Sequence, residues 1–166
     1  NGTNWINTTI SEGGSTTMFP YNMAFVHANG DDNTAEVGNI NKPYATITAA
    51  ITAVNGLTSP TIHVMSNLDV STSINITSSL TINLYNGIVI SYTNNIDSNS
   101  LFVIDYGVNV SIVSSGSSKI LCTSGTYISN FATIGNGSTA SFSSSDVKNV
   151  NLEHVISSSF TPITTV

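Results

Sequence analysis

The side chains able to do acid–base, nucleophilic or metal chemistry are few: nine carboxylates, three lysines, three histidines and one cysteine. The densest group is Asp31, Asp32 and Glu36, in a stretch rich in Asn, Gly and Thr. Their oxygens suit a hard cation such as calcium, but the ligand spacing of a known calcium loop is absent. The same residues shape turns, because Asp and Asn bond their own backbone and tolerate positive φ, and turn-shaping is the role expected of them. His27, His63 and His154 are scattered, without the close spacings that structural zinc sites use. His63 alternates with Ile62 and Val64, which turns it away from the apolar face of a strand and toward a surface or interface. Cys122 lies in the apolar run Lys119-Ile-Leu-Cys and is expected to pack as a small hydrophobe. A lone cysteine also excludes an intrachain disulfide. Tyr85, Tyr92, Tyr106 and Tyr127 would make a sugar-stacking platform if they shared one face, which their spacing does not demand. Asn-x-Ser/Thr sequons begin at Asn1, Asn7, Asn75, Asn109 and Asn136. They would carry glycans in a secreted protein, although a chain of this composition generates them by chance. No catalytic, cofactor-binding or metal-ligating residue is assigned from these patterns.

The composition narrows the classes of partner. Charged residues are 7 % of the 166, where an ordinary soluble domain has roughly 25 %. Asn, Ser and Thr take their place, at about two-fifths of the chain. The formal net charge is -6, with Lys42, Lys119 and Lys148 and no arginine. Nucleic-acid binding requires basic side chains that release counterions from phosphates, so it is not expected. An anionic membrane surface is excluded by the same argument, and the apolar runs are too short to span a bilayer. A chain opening Asn1-Gly-Thr without Met is expected to be a fragment or a processed product.

Three regions position these residues. Residues 1–20 are rich in Gly, Thr, Asn and Ser, with Trp5-Ile6 as the apolar anchor, and read as an extended N-terminal arm or linker. Residues 21–60 hold a short apolar strand (Ala24-Phe-Val-His), the turn cluster Asn29-Gly-Asp-Asp-Asn-Thr and the extended Lys42-Pro-Tyr-Ala. A helix follows, with Thr46 as its N-cap and Ile47, Ala50, Ile51 and Val54 at i, i+3, i+4 and i+7, stopped by Asn55-Gly56. Residues 61–166 are short β runs broken by Asn, Ser and Gly. Comparable runs recur about every 20 residues, at Thr61-Ile-His-Val, Thr81-Ile-Asn-Leu, Leu101-Phe-Val-Ile and Lys119-Ile-Leu-Cys. Such a repeat points to a solenoid whose coils stack over one continuous core, about five or six of them here. A β-sandwich or jelly roll is the rival. Hairpin signals are scarce, however: Asn86-Gly87 is the best, and its flanking runs fit successive faces of one coil equally well.

The run Phe25-Val-His-Ala-Asn-Gly-Asp-Asp-Asn-Thr, continued by Lys42-Pro-Tyr-Ala-Thr-Ile-Thr-Ala-Ala-Ile, resembles the entry motif of pectin-lyase-like right-handed parallel β-helices. Those folds occur in viral and phage tail fibres, tailspikes and bacterial surface proteins. The motif covers about residues 24–65, and the rest follows by repeat character alone. The opening Asn1-Gly-Thr-Asn-Trp-Ile also looks like short segments near the attachment ends of phage tail proteins. The resemblance implies an all-β fold, a right-handed parallel β-helix with a short N-terminal capping helix. Enzymes of this family work with carboxylates, usually beside Arg, Lys or His. A lyase needs a base and cations, and a glycosidase needs two carboxylates about 5–10 Å apart. Here arginine is absent, and the acids after the cap (Asp69, Asp97, Asp105, Asp146, Glu153) form no clear pair at a 20-residue repeat.

The expectation is therefore a structural component of a virion appendage (fibre, spike or tail protein), extracellular and engaged in host attachment. Its C-terminal run from Ile156 carries no capping helix, so cover by a partner copy, as in a homotrimer, or by further chain is expected, and other virion proteins are expected partners. Host-surface carbohydrate is a possible partner; a cofactor is not expected. The alternatives are a polysaccharide-degrading, lyase-like tailspike and a bacterial surface adhesin.

Overall fold

The computed structural model of the chain describes residues 19–92, 96–114, 117–122, 128–134 and 139–143. The expected arm is thus outside the described residues except for Phe19 and Pro20, and so are Tyr127, Asp146, Glu153, His154 and the C-terminal run.

Strand β1 (Met23–Val26) opens the fold, and helix α1 (Ile47–Val54) follows as expected. Thr46 caps α1 with an extended backbone (φ -125°, ψ 148°), its Oγ accepting the Ala49 amide at 3.1 Å. Ile47, Ala50, Ile51 and Val54 are the buried side, while Thr48 and Thr52 face out. The helix stops because Gly56 takes φ +81°, a left-handed conformation that side chains with a Cβ resist. Between β1 and α1 the chain doubles back over β1. The amides of Gly38 and Tyr44 donate to the Met23 and Phe25 carbonyls at 2.7 and 2.8 Å, and the His27 amide donates to Tyr44 at 2.9 Å. This loop covers the free edge of β1, which would otherwise offer unpaired backbone groups to another strand. Gly30 is required there, since a Cβ would collide with the carbonyls of Pro43 and Tyr44.

The rest of the described chain is strand and short turn. In order these are β2 (Thr61–Val64), β3 (Leu68–Val70), β4 (Ile74–Ile76), β5 (Leu80–Leu84), β6 (Val89–Tyr92), β7 (Ile96–Ile104), β8 (Asn109–Ser114), β9 (Lys119–Cys122), β10 (Ile128–Ile134) and β11 (Thr139–Ser143). Every pairing between them is parallel. They form three sheets, of order β1-β2-β5-β8-β11, β3-β6-β9 and β4-β7-β10. The chain visits the three sheets in rotation. It completes three rounds (β2–β4, β5–β7, β8–β10) and returns to the first sheet at β11. The turn at Asn86-Gly87 accordingly joins two different sheets and makes no hairpin.

Alternation decides which side chains go inside. Ala24, Ile62, Ile82 and Ile112 lie in register across four strands of the five-stranded sheet, and all are buried. Leu68 and Ile90 pair in the second sheet, Ile74 with Phe102 and Ile76 with Ile104 in the third. These columns share one core with the apolar side of α1. Fully burying an aliphatic side chain contributes about 1.5–3 kcal/mol, so the inner columns are the main source of cohesion.

The turns explain the Asn and Ser content. The Asn67 Oδ1 accepts the Val89 amide at 2.8 Å, the Ser79 Oγ accepts that of Asn109 at 2.9 Å, and the Asn86 Oδ1 accepts that of Ser117 at 3.2 Å. In each case a corner side chain accepts from a backbone donor one round further along.

The stacking distance corrects the expected repeat. Thr61 pairs with Thr81, 20 residues on, but Thr81 pairs with Ser111 and Ser111 with Ser141, each 30 residues on. Leu101-Phe-Val-Ile therefore lies in β7, beside β4 and β10, and Lys119 pairs with Val89 in the second sheet. Part of the added length of the second and third rounds is in their third strands: β7 and β10 run nine and seven residues against three in β4. Longer rounds also mean fewer of them: the described residues make three and begin a fourth.

Candidate functional site

The outer face of the five-stranded sheet carries the side chains that the core leaves over. Thr61, Thr81 and Ser111 are in register across β2, β5 and β8, and His63, Asn83 and Val113 form the neighbouring column, with Phe25 of β1 ahead of His63. All are half-buried except Phe25, which is buried. Adjacent strands lie about 4.8 Å apart, so each column is a ladder of closely spaced side chains, none of them a carboxylate or an amine.

One end of this face is aromatic. Phe19 and Phe25 have ring centroids 4.9 Å apart, Phe25 stacks on the His63 imidazole at 5.4 Å and 21°, and His63 meets the edge of Tyr85 at 5.7 Å. Phe25 points away from the common core yet is only 1 % exposed, because Phe19 and His63 cover it. Both His63 nitrogens are buried without a hydrogen-bond partner. Burial in this setting pushes the imidazole pKa below its ordinary 6.5. His63 is thus turned outward, as expected, and is a member of an aromatic row; the contacts come from residues too far apart in the chain for their spacing to disclose.

The other end is a groove of about 460 Å³. Ser59 and Pro60 come from the segment after α1, Ser78 and Ser79 from the turn before β5, and Asn109 and Ser111 from β8. Ser78 Oγ is buried and has no hydrogen-bond partner. Nothing in the local sequence marks this groove, since its walls are assembled only by the stacking register.

The acidic turn is built from internal bonds. Asp32 accepts the amides of Ala45 and Thr46 at 2.7 and 3.0 Å and the Thr46 hydroxyl at 2.8 Å, tying the turn to the helix cap. Asp31 accepts the Asn33 amide at 2.9 Å and the Thr34 hydroxyl at 3.0 Å, which hold its carboxyl below the ordinary carboxylate value. Glu36 takes the Lys42 ammonium and the Asn39 amide group, which lower its pKa in the same way. These are the bonds of a turn. Among the described residues no cluster of three or more His, Cys, Asp or Glu side chains is placed to hold a metal ion.

The other candidates are dispersed. His27 Nδ1 accepts the Asn29 amide at 3.1 Å. Tyr92 is in the core, Tyr85 is beside His63 and Tyr106 is exposed at a turn, so these three make no common platform. Asp69 is exposed on β3, in register with Ser91, whereas Asp105 follows β7 of another sheet. The Asp105 amide donates to the Ile76 carbonyl at 3.0 Å, so its neighbour one round back is Thr77, and the Tyr85 neighbour implied by a 20-residue repeat does not arise. Asp97 is on β7. Of the sequons, Asn75 and Asn109 are exposed on β4 and β8, and Asn1, Asn7 and Asn136 are outside the described residues. Among the described residues no helix is long and apolar enough to cross a membrane. No family model, curated protein or solved structure matches the chain.

Proposed function

We propose that the chain is a right-handed parallel β-helix that serves as a scaffold in a viral or phage appendage, a fibre, spike or tail part on the outside of the virion. The observation that carries this reading is the rotation through three parallel sheets beneath an outer face free of ionic side chains. A rotation of that kind is what a solenoid does, and crossovers between parallel strands of one sheet are right-handed in nearly all proteins. The entry motif, the edge-covering loop and α1 fit the capped start of such a solenoid. Outward Thr, Ser and Asn give a surface that holds water without strong charge, suited to contact with identical copies, with other virion proteins or with host-surface carbohydrate. A homotrimer is the assembly proposed.

The scaffold reading expects no bond cleavage. Incubation with pectic and capsular polysaccharides, followed by a reducing-sugar assay, should release nothing above the protein-free control. Turnover that disappears when Asp69 or Asp105 is replaced by Asn would sink the scaffold reading in favour of a polysaccharide-degrading enzyme.

A further inference from the structure

The groove at the end of the five-stranded sheet is open space with an unusual wall. Its lining holds hydroxyl and amide side chains (Ser59, Ser78, Ser79, Thr81, Asn109, Ser111) beside the apolar edges of Leu57 and Pro60, and contains no charged residue. Gly56 leaves the space above it empty: a Cβ built there meets nothing within 4 Å. The wall is held in place by the fold. Thr81 and Ser111 are register partners on neighbouring strands, and the Ser79 Oγ accepts the Asn109 amide at 2.9 Å. A hydroxyl that accepts one bond keeps its own proton to donate.

We infer that this groove binds a neutral saccharide unit, its ring hydroxyls bonded by Ser79, Thr81 and Ser111 and its C–H face resting on Leu57 and Pro60. The inference rests on the carbohydrate-facing role proposed above and gives that role a place on the molecule. The chemistry selects against charged sugars, since a carboxylate or ammonium entering the groove would lose water and meet no counter-charge. About 460 Å³ lies within the range of small-molecule sites. An in-register pair of outward hydroxyls fits a ligand that itself presents hydroxyls at short, regular intervals.

The test is titration of the full chain with neutral oligosaccharides of glucose, galactose, mannose and N-acetylglucosamine, and with uronic-acid oligomers of equal length, followed by heteronuclear NMR. At least one neutral series should shift the amides of Ser78–Thr81 and Asn109–Ser111, with the uronic-acid oligomers at least tenfold weaker. Thr81→Val and Ser111→Val, substitutions that a strand accepts, should each weaken the neutral ligand at least tenfold. Asn75→Thr on another sheet should leave it unchanged. Circular dichroism confirms that each variant is folded. Neutral-sugar binding untouched by Thr81→Val and Ser111→Val would overturn the groove while leaving a carbohydrate-facing scaffold intact. Equal or tighter binding of the uronic-acid oligomers would overturn it too, as would the absence of binding by every oligosaccharide tested. Failure of the scaffold itself has a separate readout, the release of reducing ends.

Discussion

His63 is the residue whose surroundings differ most from its sequence neighbourhood. An imidazole flanked by Ile62 and Val64 would ordinarily face water, yet here it is packed between Phe25 and Tyr85 with neither nitrogen bonded. Unfolded, it takes up a proton near pH 6.5; folded, burial holds the proton off to lower pH. Below 6.5 the unfolded chain binds more protons than the native one, so stability is complete above that value and declines as the pH falls toward the folded pKa. Asp31 and Glu36 have pKa values below 3.8 and 4.5, so they remain ionised between pH 5.5 and 7.5 and do not contribute to that decline. The expected outcome is a lower urea midpoint at pH 5.5 than at pH 7.5, and a smaller difference in His63→Phe. The phenyl ring keeps the stacking and removes two buried unpaired nitrogens, so this variant should also be more stable by about 1 kcal/mol at neutral pH. An unchanged difference between the two pH values would assign the dependence to another group.

Among the elements, β5 is the most informative, because its two faces do different things. Ile82 is 1 % exposed and lies in register between Ile62 and Ile112, whereas Thr81 faces out. Ile82→Ala should cost about 2–5 kcal/mol through lost contacts and a residual cavity. Thr81→Val should stay within about 0.5 kcal/mol, as outward substitutions do. Equilibrium denaturation of both measures the contrast, and similar losses would show that the alternation does not define the core. That alternation was legible in the sequence, and so was α1, since Thr46, the 3.6-residue apolar period and Asn55-Gly56 are local signals. The stacking register was not. Thr81-Ile-Asn-Leu and Leu101-Phe-Val-Ile look like consecutive rungs because both are short runs with buried apolar side chains, set 20 residues apart, and such runs occur in all three sheets. Pattern alone says that a side chain is inside, never which strand lies beside it. The same gap hid the aromatic row and the groove, whose members (Phe25 with His63, Ser79 with Asn109) meet only once strands 30 or more residues apart are placed in register.

At the scale of the whole molecule, the charge pattern decides how copies of the chain can meet. Nine acids and three lysines leave -6 on each copy, and one of those lysines is bonded to Glu36. An assembly held by ion pairs would have few cations to use and would weaken as salt screened them. A trimer joined through outward Ser, Thr and Asn depends on hydrogen bonds and shape, and its electrostatic contribution is the mutual repulsion of three acidic chains. Screening that repulsion favours association. Light scattering at micromolar concentration should therefore give three times the 17.4 kDa of one chain at about 0.15 M salt, where the Debye length is about 8 Å. The trimer should persist, and resist dilution better, at about 1 M salt, where that length falls to about 3 Å. A mass of 17.4 kDa under both conditions would overturn the trimer. A trimer that dissociates as salt rises would overturn the neutral contact and point to ionic pairing among the few lysines. The sign of the salt effect thus separates the two kinds of interface even before any interface residue is known.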